Sequence, residues 1–273
     1  MNTDIFYEPF FQRALLACLL AGIACGVIGT LIVVRRISSI SGSLAHAALG
    51  GVGLASFAGV NPVIGAALFA VVTALLVCYL HFRSRGDLET LITMVWSVGM
   101  AVGVLFLALT PGYSAPLESY LFGSLILVPQ YYLIMSAIVD LFLVGLVVLH
   151  FHSFRAVCFD EEYATVSGLP AKRIFALLLV LVALSIVVLM RVVGVVLMIA
   201  LFTVPAIIGR QWFANLAHIM FSAVAIAIFC CLGGLILSYE ISVVFDLSLP
   251  TGPLIVILSA ICFATSSLLA RRI

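Results

Sequence analysis

The stretch ISGSLAHAALGG, residues 40–51, sets one imidazole, His46, among Ser, Ala and Gly inside an otherwise apolar chain. Neutral imidazole is the commonest side-chain ligand for borderline divalent metals. The small neighbours Ala45, Ala47, Ala48, Gly50 and Gly51 leave room around it. A polar group in such a run normally faces a bundle interior or a water-filled path. A histidine hydrogen-bonded to a backbone carbonyl or a serine fits the same residues, and both readings stay open. Asp140 sits in the middle of YYLIMSAIVDLFLVGLVVLHF and is a functional candidate on the same ground, with a structural hydrogen bond as its alternative. Glu240 and Asp246, in SYEISVVFDLSLPTGP, can gather cations or meet a partner protein; a solvated loop reads the same way. His81, His150, His152 and His218 read more simply as interfacial polar residues, although His150 and His152, two apart, could also hold a metal as it leaves.

A second stretch carries charge. HFHSFRAVCFDEEYATVSGLPAKRIF, residues 150–175, holds three consecutive acids, Asp160, Glu161 and Glu162, then Ala164, Gly168 and Pro170, then Lys172 and Arg173. Acids at the start and bases at the end complement the dipole of a short helix, which Gly168 and Pro170 would stop. Such a helix can dock a partner or merely connect two spans.

The elements that must hold these groups are membrane helices. Of 273 residues, 65% are hydrophobic and 8% charged, against about 25% charged in a soluble domain. Apolar runs recur that reach the roughly 17–25 residues a helical crossing needs. The expected fold is all-α: a polytopic transmembrane bundle of about 8–10 helices with a short cytoplasmic helix, residues 1–273 forming a single transmembrane domain with no separate soluble module. Spans are expected at about 11–34, 44–60, 62–82, 88–110, 130–151, 174–192, 195–209, 214–237 and 252–270. The second and seventh are short and rich in Gly, Ala or Pro, so either can be broken, and LESYLFGSLILV, 117–128, is a candidate partial dip. Pro205 in LFTVPAII is expected to kink its span, with Thr203 placed to satisfy freed backbone. An outside N-terminus and nine spans put ten of the twelve Lys and Arg residues inside, leaving Arg13 and Arg191 outside. The outer face then carries Asp4, Glu8, Glu118, Glu240 and Asp246, a sign that weakly steers cations inward. Gly22 with Gly26, and Gly99 with Gly103, let helix backbones approach closely; packing within one subunit is the simpler reading than a dimer contact. The seven cysteines show no CxxC spacing and read as small buried hydrophobes. The acidic N-terminus has no basic leader, so the first apolar run is read as a span. The chain carries no GxxxxGK[ST], so it cannot hold nucleotide by that phosphate cradle; it also lacks HExxH and GxSxG.

Five segments, in order, resemble one family. RRISSISGSLAHAALGGVGLA resembles the RRxSxxGDxLxHxxLxG stretch of the zinc, manganese and iron permeases of ATP-binding-cassette importers. SYLFGSLILV, FDEEYATVSG, ALFTVPAIIGR and LPTGPLIVIL resemble that family's YLFGDLL, F-D-x-x-x-A-x-x-x-G, LLxxPAATA and PxGPxIVLL segments. The resemblance implies a multi-pass permease of the bacterial inner membrane, N-terminus outside and C-terminus cytoplasmic, that pairs with a second permease copy or homologue. It implies cytoplasmic ATP-binding subunits docked on the charged loop through Asp160, Glu161, Glu162, Ala164 and Gly168, and an external solute-binding protein. It implies that the chain is no enzyme, that it binds no cofactor and no nucleic acid, and that a divalent metal is its cargo, with His46 as a ligand. One departure from the family bears on the site. An Asp sits one helical turn before the histidine there, on the same face; here the residue is Gly42, followed by Ser43, a weaker and neutral ligand, with Ser39 and Ser41 before it. Another part of the chain or a partner permease can supply the missing charge, or the cargo differs. A permease for chelated iron or a vitamin, and an ion-coupled secondary carrier, are the alternatives. A carrier usually needs intramembrane charge for its coupling ion, and here only Asp140 sits clearly mid-span.

Overall fold

The computed structural model describes residues 7–83, 87–110, 123, 125, 128–245 and 250–270. Every regular element among them is helical: α1 (Pro9–Val34), α2 (Ser39–Phe57), α3 (Pro62–Arg83), α4 (Leu88–Ala108), α5 (Gln130–Leu149), α6 (Phe151–Phe159), α7 (Glu161–Val166), α8 (Ala171–Val192), α9 (Val195–Trp212), α10 (Leu216–Phe245) and α11 (Thr251–Ala270). Nine of the described helices, all but α6 and α7, are long and apolar enough to cross a membrane. A helix suits that solvent because it satisfies its own backbone groups where water cannot.

The chain divides into two compact units. One comprises residues 1–33, 117–144 and 188–273; the other, residues 34–116 and 145–187. In the first, α9, α10 and α11 pack on one another. Their pattern inverts that of a soluble protein. On α11 the buried residues include Thr251, Gly252, Ser259 and Ser266, while Ile257, Ile261, Leu268 and Leu269 are exposed. Apolar surface costs nothing against lipid, so helices associate through small residues and polar ties. Ser266 supplies such a tie: its hydroxyl donates to Gln211 Oε1 at 2.8 Å and accepts from Trp212 Nε1 at 2.8 Å. Gly22 and Gly26 of α1 press on α10, where an added Cβ would lie 2.5 Å from Ile228 Cγ1 and 2.5 Å from Val224 Cα respectively. The glycine spacing in α1 therefore serves packing inside the chain.

In the second unit α2 packs on α3 and on α4. α2 is buried on nearly every side. It can be, because its neighbours offer glycines: a Cβ at Gly99 would stand 2.6 Å from Ala47 Cα, and one at Gly103 would stand 2.7 Å from Leu49 O. Gly51 and Gly65 make the matching close approach between α2 and α3.

Some elements differ from the sequence expectation. α2 begins at Ser39, five residues earlier than expected, because its serines are absorbed into the helix rather than left in a loop. α2 and α9 are both unbroken, and Pro205 lies inside α9. The carbonyl freed by Pro205 is that of Leu201. Thr203 does not reach it: its hydroxyl donates to Ile199 O at 2.9 Å and Ala200 O at 3.3 Å. α10 runs to Phe245, well past the expected end, so Glu240 lies on a helix and not in a loop. Of 117–128, only Gly123, Leu125 and Val128 are described, and the partial dip lies otherwise outside the described residues.

Candidate functional site

α2 carries His46, and α4 fixes its surroundings. The Ser43 hydroxyl donates to Ile92 O at 2.6 Å, which pins one helix to the other three residues before the imidazole. The His46 ring then lies flat on Trp96, with centroids 4.8 Å apart and planes 8° apart. The ring is half-buried, and its Nδ1 is fully enclosed with no hydrogen-bond partner. A buried imidazole nitrogen without a partner forgoes about 1–3 kcal/mol. A stacked ring whose nitrogen is unfilled has the orientation of a ligand and lacks the bond that a purely structural histidine would make.

The residues around it do not complete a metal shell. Ser43 has committed its proton to Ile92, and Ser41 donates to Ser38 O at 2.8 Å. Gly42, one turn before His46, offers no side chain. Among the described residues no three or more His, Cys, Asp or Glu side chains gather as a metal would require. Among the described residues, His46 therefore has no cluster of further His, Cys, Asp or Glu donors about it.

The remaining sequence candidates lie on other elements. Asp140 belongs to the first unit, on α5. It is 5% exposed, and its Oδ2 makes no hydrogen bond; Ser136, one turn earlier, is 0% exposed and its hydroxyl is likewise unpartnered. Glu240 is half-buried near the end of α10, and Asp246 lies outside the described residues. His150 and His152 are exposed where α5 gives way to α6; His150 Nδ1 lies 3.3 Å from Leu146 O. His218 is exposed beside Phe213. Cys158 is buried, and burial pushes its thiol up to about 12, which makes it inert.

The charged segment forms two short helices, α6 and α7, where one was expected. α7 has only six residues, too few to persist on propensity alone, and both its ends are capped. Asp160 Oδ1 accepts the Tyr163 N–H at 2.8 Å, an N-cap bond. At the other end Leu169 N–H donates to Ala164 O at 3.0 Å and Gly168 N–H to Thr165 O at 3.1 Å. That pair of bonds is a Schellman motif. It needs a left-handed residue, and Gly168 has φ 84°. Ala164 is fully buried under the helix. Lys172 and Arg173 do not end α7, as the charge pattern suggested; they sit in the first turn of α8. Their like sign to that helix end is offset locally by Lys172 Nζ lying 5.4 Å from the Phe82 ring centre.

The three acids thus do three different things. Asp160 caps. Glu162 is exposed and, with Glu161, Phe82, Val166, Lys172 and Arg173, lines a cleft of about 890 Å³. Beside it Tyr163 is 66% and Val166 87% exposed, an apolar outer face on a helix that spans nothing. Glu161 turns inward. Its Oε2 forms an ion pair with Arg35 and lies 3.5 Å from His81 Nε2. The His81 hydrogen bond, with the nearby Arg35 charge, holds the Glu161 carboxyl below its usual range against the opposing effect of burial. Sequence reading assigned Glu161 to the same outer role as its neighbours. The only hint of its partners was opposite charge in the RRIS stretch, which carries no register.

The chain matches known proteins over nearly its whole length. A family model described as the ABC 3 transport family matches residues 7–270. The chain is 36% identical to the "Probable metal transport system membrane protein" of Chlamydia trachomatis, over 97% of this chain and 90% of that one. It is 31% identical to the chelated iron transport system membrane protein of Yersinia pestis, over 97% of this chain and 86% of that one. Among solved structures it resembles PsaBC from Streptococcus pneumoniae in complex with Fab, with TM-score 0.82, 27% identity, and 96% and 92% of the two chains covered. The chain belongs to the ABC 3 transport family.

Proposed function

We propose that this chain is the membrane permease subunit of an ATP-driven importer of divalent transition-metal ions: zinc, manganese or iron. The observation that carries the reading is His46, a half-buried imidazole within a span, held flat on Trp96, with an enclosed nitrogen that no described group fills. One imidazole does not hold a divalent ion, which takes about four or more donors from the N, O and S set. The shell is completed from outside the α2–α4 layer. A second permease across a dimer, bringing a donor of its own, supplies it most simply.

The whole chain acts as one permease domain in the bacterial inner membrane, N-terminus outside and C-terminus cytoplasmic. An external solute-binding protein delivers the metal. Cytoplasmic ATP-binding subunits dock on α7, where Glu162, Tyr163 and Val166 face outward and Gly168 closes the helix. ATP binding and hydrolysis in those subunits drive alternating access, and the metal passes as cargo. The naming of one relative for chelated iron, together with Gly42 at the family's acidic position, favours a chelate as the second reading of the cargo.

The test is ATP-dependent uptake of zinc, manganese and iron into liposomes that hold the chain with its ATPase and binding protein. Uptake of one metal by the wild type, and its loss in His46→Ala with the complex still assembled, is the expected result. No uptake of any free ion, with the complex intact, would move the reading to chelates; uptake unchanged in His46→Ala would remove His46 from the path.

A further inference from the structure

We propose that Glu161 is a positioning residue that links the partner-facing helix α7 to the ion-facing helix α2. This rests on the importer reading above. The link is built within one unit of the fold. Arg35 lies in the turn at the foot of α2, closed by Arg36 in the left-handed region at φ 64°. It ion-pairs with Glu161 at the start of α7. His81, at the end of α3, lies 3.5 Å from the same carboxylate oxygen. The side chains of Arg35, His81 and Glu161 are 17%, 22% and 18% exposed, so water screens them little. All three stand over one aromatic plate or beside it. Phe175, fully buried in α8, has the Arg35 guanidinium 5.3 Å and the His81 ring 5.3 Å from its centre. Three segments therefore meet at one carboxylate, and Phe175 of a fourth packs on its two partners.

From there α2 and α3 lead to His46, and the helices about it are closely packed. α3 bears on α2 where Gly51 meets Gly65, and α2 bears on α4 where Ala47 meets Gly99. Both are backbone approaches with no side chain to flex. His46 stands in the same stretch of α2, stacked on Trp96 of α4. If α7 shifts with its partner, α2 and α3 must follow or the half-buried ion pair must break. Breaking it strands a charge, which costs more than an exposed pair would. The outer face of α7, with Glu162, Tyr163 and Val166, meets the partner; Glu161 on its inner face passes the motion on.

The experiment uses the full chain with its ATPase and binding protein in liposomes. Metal uptake per ATP hydrolysed and retention of the ATPase are read together for wild type, Glu161→Gln, Arg35→Gln, the double variant, and the charge exchange Glu161→Arg with Arg35→Glu. A label on Ser39→Cys, exposed at the start of α2, reports ATP-driven movement independently of cargo. The native thiols are buried or half-buried. Each single variant is expected to keep the ATPase bound, to lose about tenfold in uptake per ATP, and to lose the ATP response of the label. The double variant should lose no more than either single one, and the exchange should recover part of the loss. Glu161→Asp, which keeps the charge and shortens the reach, should show a smaller loss of the same kind and replaces the Gln variant if that one does not insert. Wild-type uptake per ATP in Glu161→Gln, additive losses in the double variant, or release of the ATPase by Glu161→Gln would each overturn the proposal; the last would make Glu161 a docking residue. If the wild-type label answers ATP but no metal enters, the importer reading fails while the label still decides the link.

Discussion

His46 and Glu161 lie in the same unit of the fold and are opposites. His46 is held by shape, its ring pressed on Trp96, and its Nδ1 has no partner. Glu161 is held by charge, and one of its oxygens serves both Arg35 and His81. An enclosed polar atom left unpaired costs free energy that a purely structural role would avoid. A carboxylate oxygen that already serves two groups of its own chain is held in place by them. The difference separates a group that waits for a ligand from one that transmits force, and residue type alone does not make that distinction.

The comparison can be broken first through the packing that supports it. Gly99→Leu drives a side chain into Ala47, where even a Cβ would lie 2.6 Å from backbone. We expect loss of the folded permease, read as failure to elute as a single species in detergent; overpacking costs of about 1–3 kcal/mol or more are usual where a side chain can move, and here backbone would have to. A well-folded Gly99→Leu protein would show that α2 and α4 are less tightly joined than the His46 setting requires. Gly168→Ala should be milder. Open space surrounds the added methyl, so the cost is that of the left-handed backbone, about 1–2 kcal/mol. ATPase retention should fall several-fold while the spans stay folded; equal retention would detach α7 from docking.

The smallest effect sharpens the Glu161 side. Its folded pKa is depressed, so its ion pair contributes fully above the ordinary glutamate value of 4.5 and is lost as pH falls below that value and through the folded one. The thermal stability of wild type over Glu161→Gln should therefore be flat from neutral pH down to about 4.5 and shrink below it. An advantage that already vanishes between pH 7 and 5 would contradict the Arg35 and His81 contacts.

Much of this molecule was legible in sequence, for reasons that differ by region. The spans follow from apolar length, since lipid requires each crossing to satisfy its own backbone. The glycine pairs Gly22–Gly26 and Gly99–Gly103 correctly pointed to packing within the chain, because a missing Cβ is visible as a letter. The stop of α7 was legible for the same reason, since Gly168 acts through local backbone geometry; Asp160 reads as a charge that suits the helix dipole and is in fact its N-cap. What failed was register. Ser39 to Ser43 fall outside the expected span, which begins at 44, because hydroxyls are neutral in a loop or a buried helix, and only Ile92 decides for Ser43. Lys172 and Arg173 were assigned to the wrong helix because a charge pattern does not show where Pro170 restarts the chain. The Glu161–Arg35 pair joins residues 126 apart, and no local rule reaches that far. His46 was found by its type and place, but its stacking on Trp96 was not.

The most direct measurement is cobalt(II) binding to the purified permease in its assembled form, followed by visible absorption, with His46→Ala beside the wild type. Imidazole-ligated cobalt absorbs in the visible, and loss of one ligand should weaken binding by about 10–100-fold. His150→Ala with His152→Ala controls for the exposed pair. The account predicts a site in the wild type that survives the control substitutions and is lost in His46→Ala. Equal affinity and an unchanged spectrum in His46→Ala would contradict it, and would leave the imidazole on α2 as a packing residue.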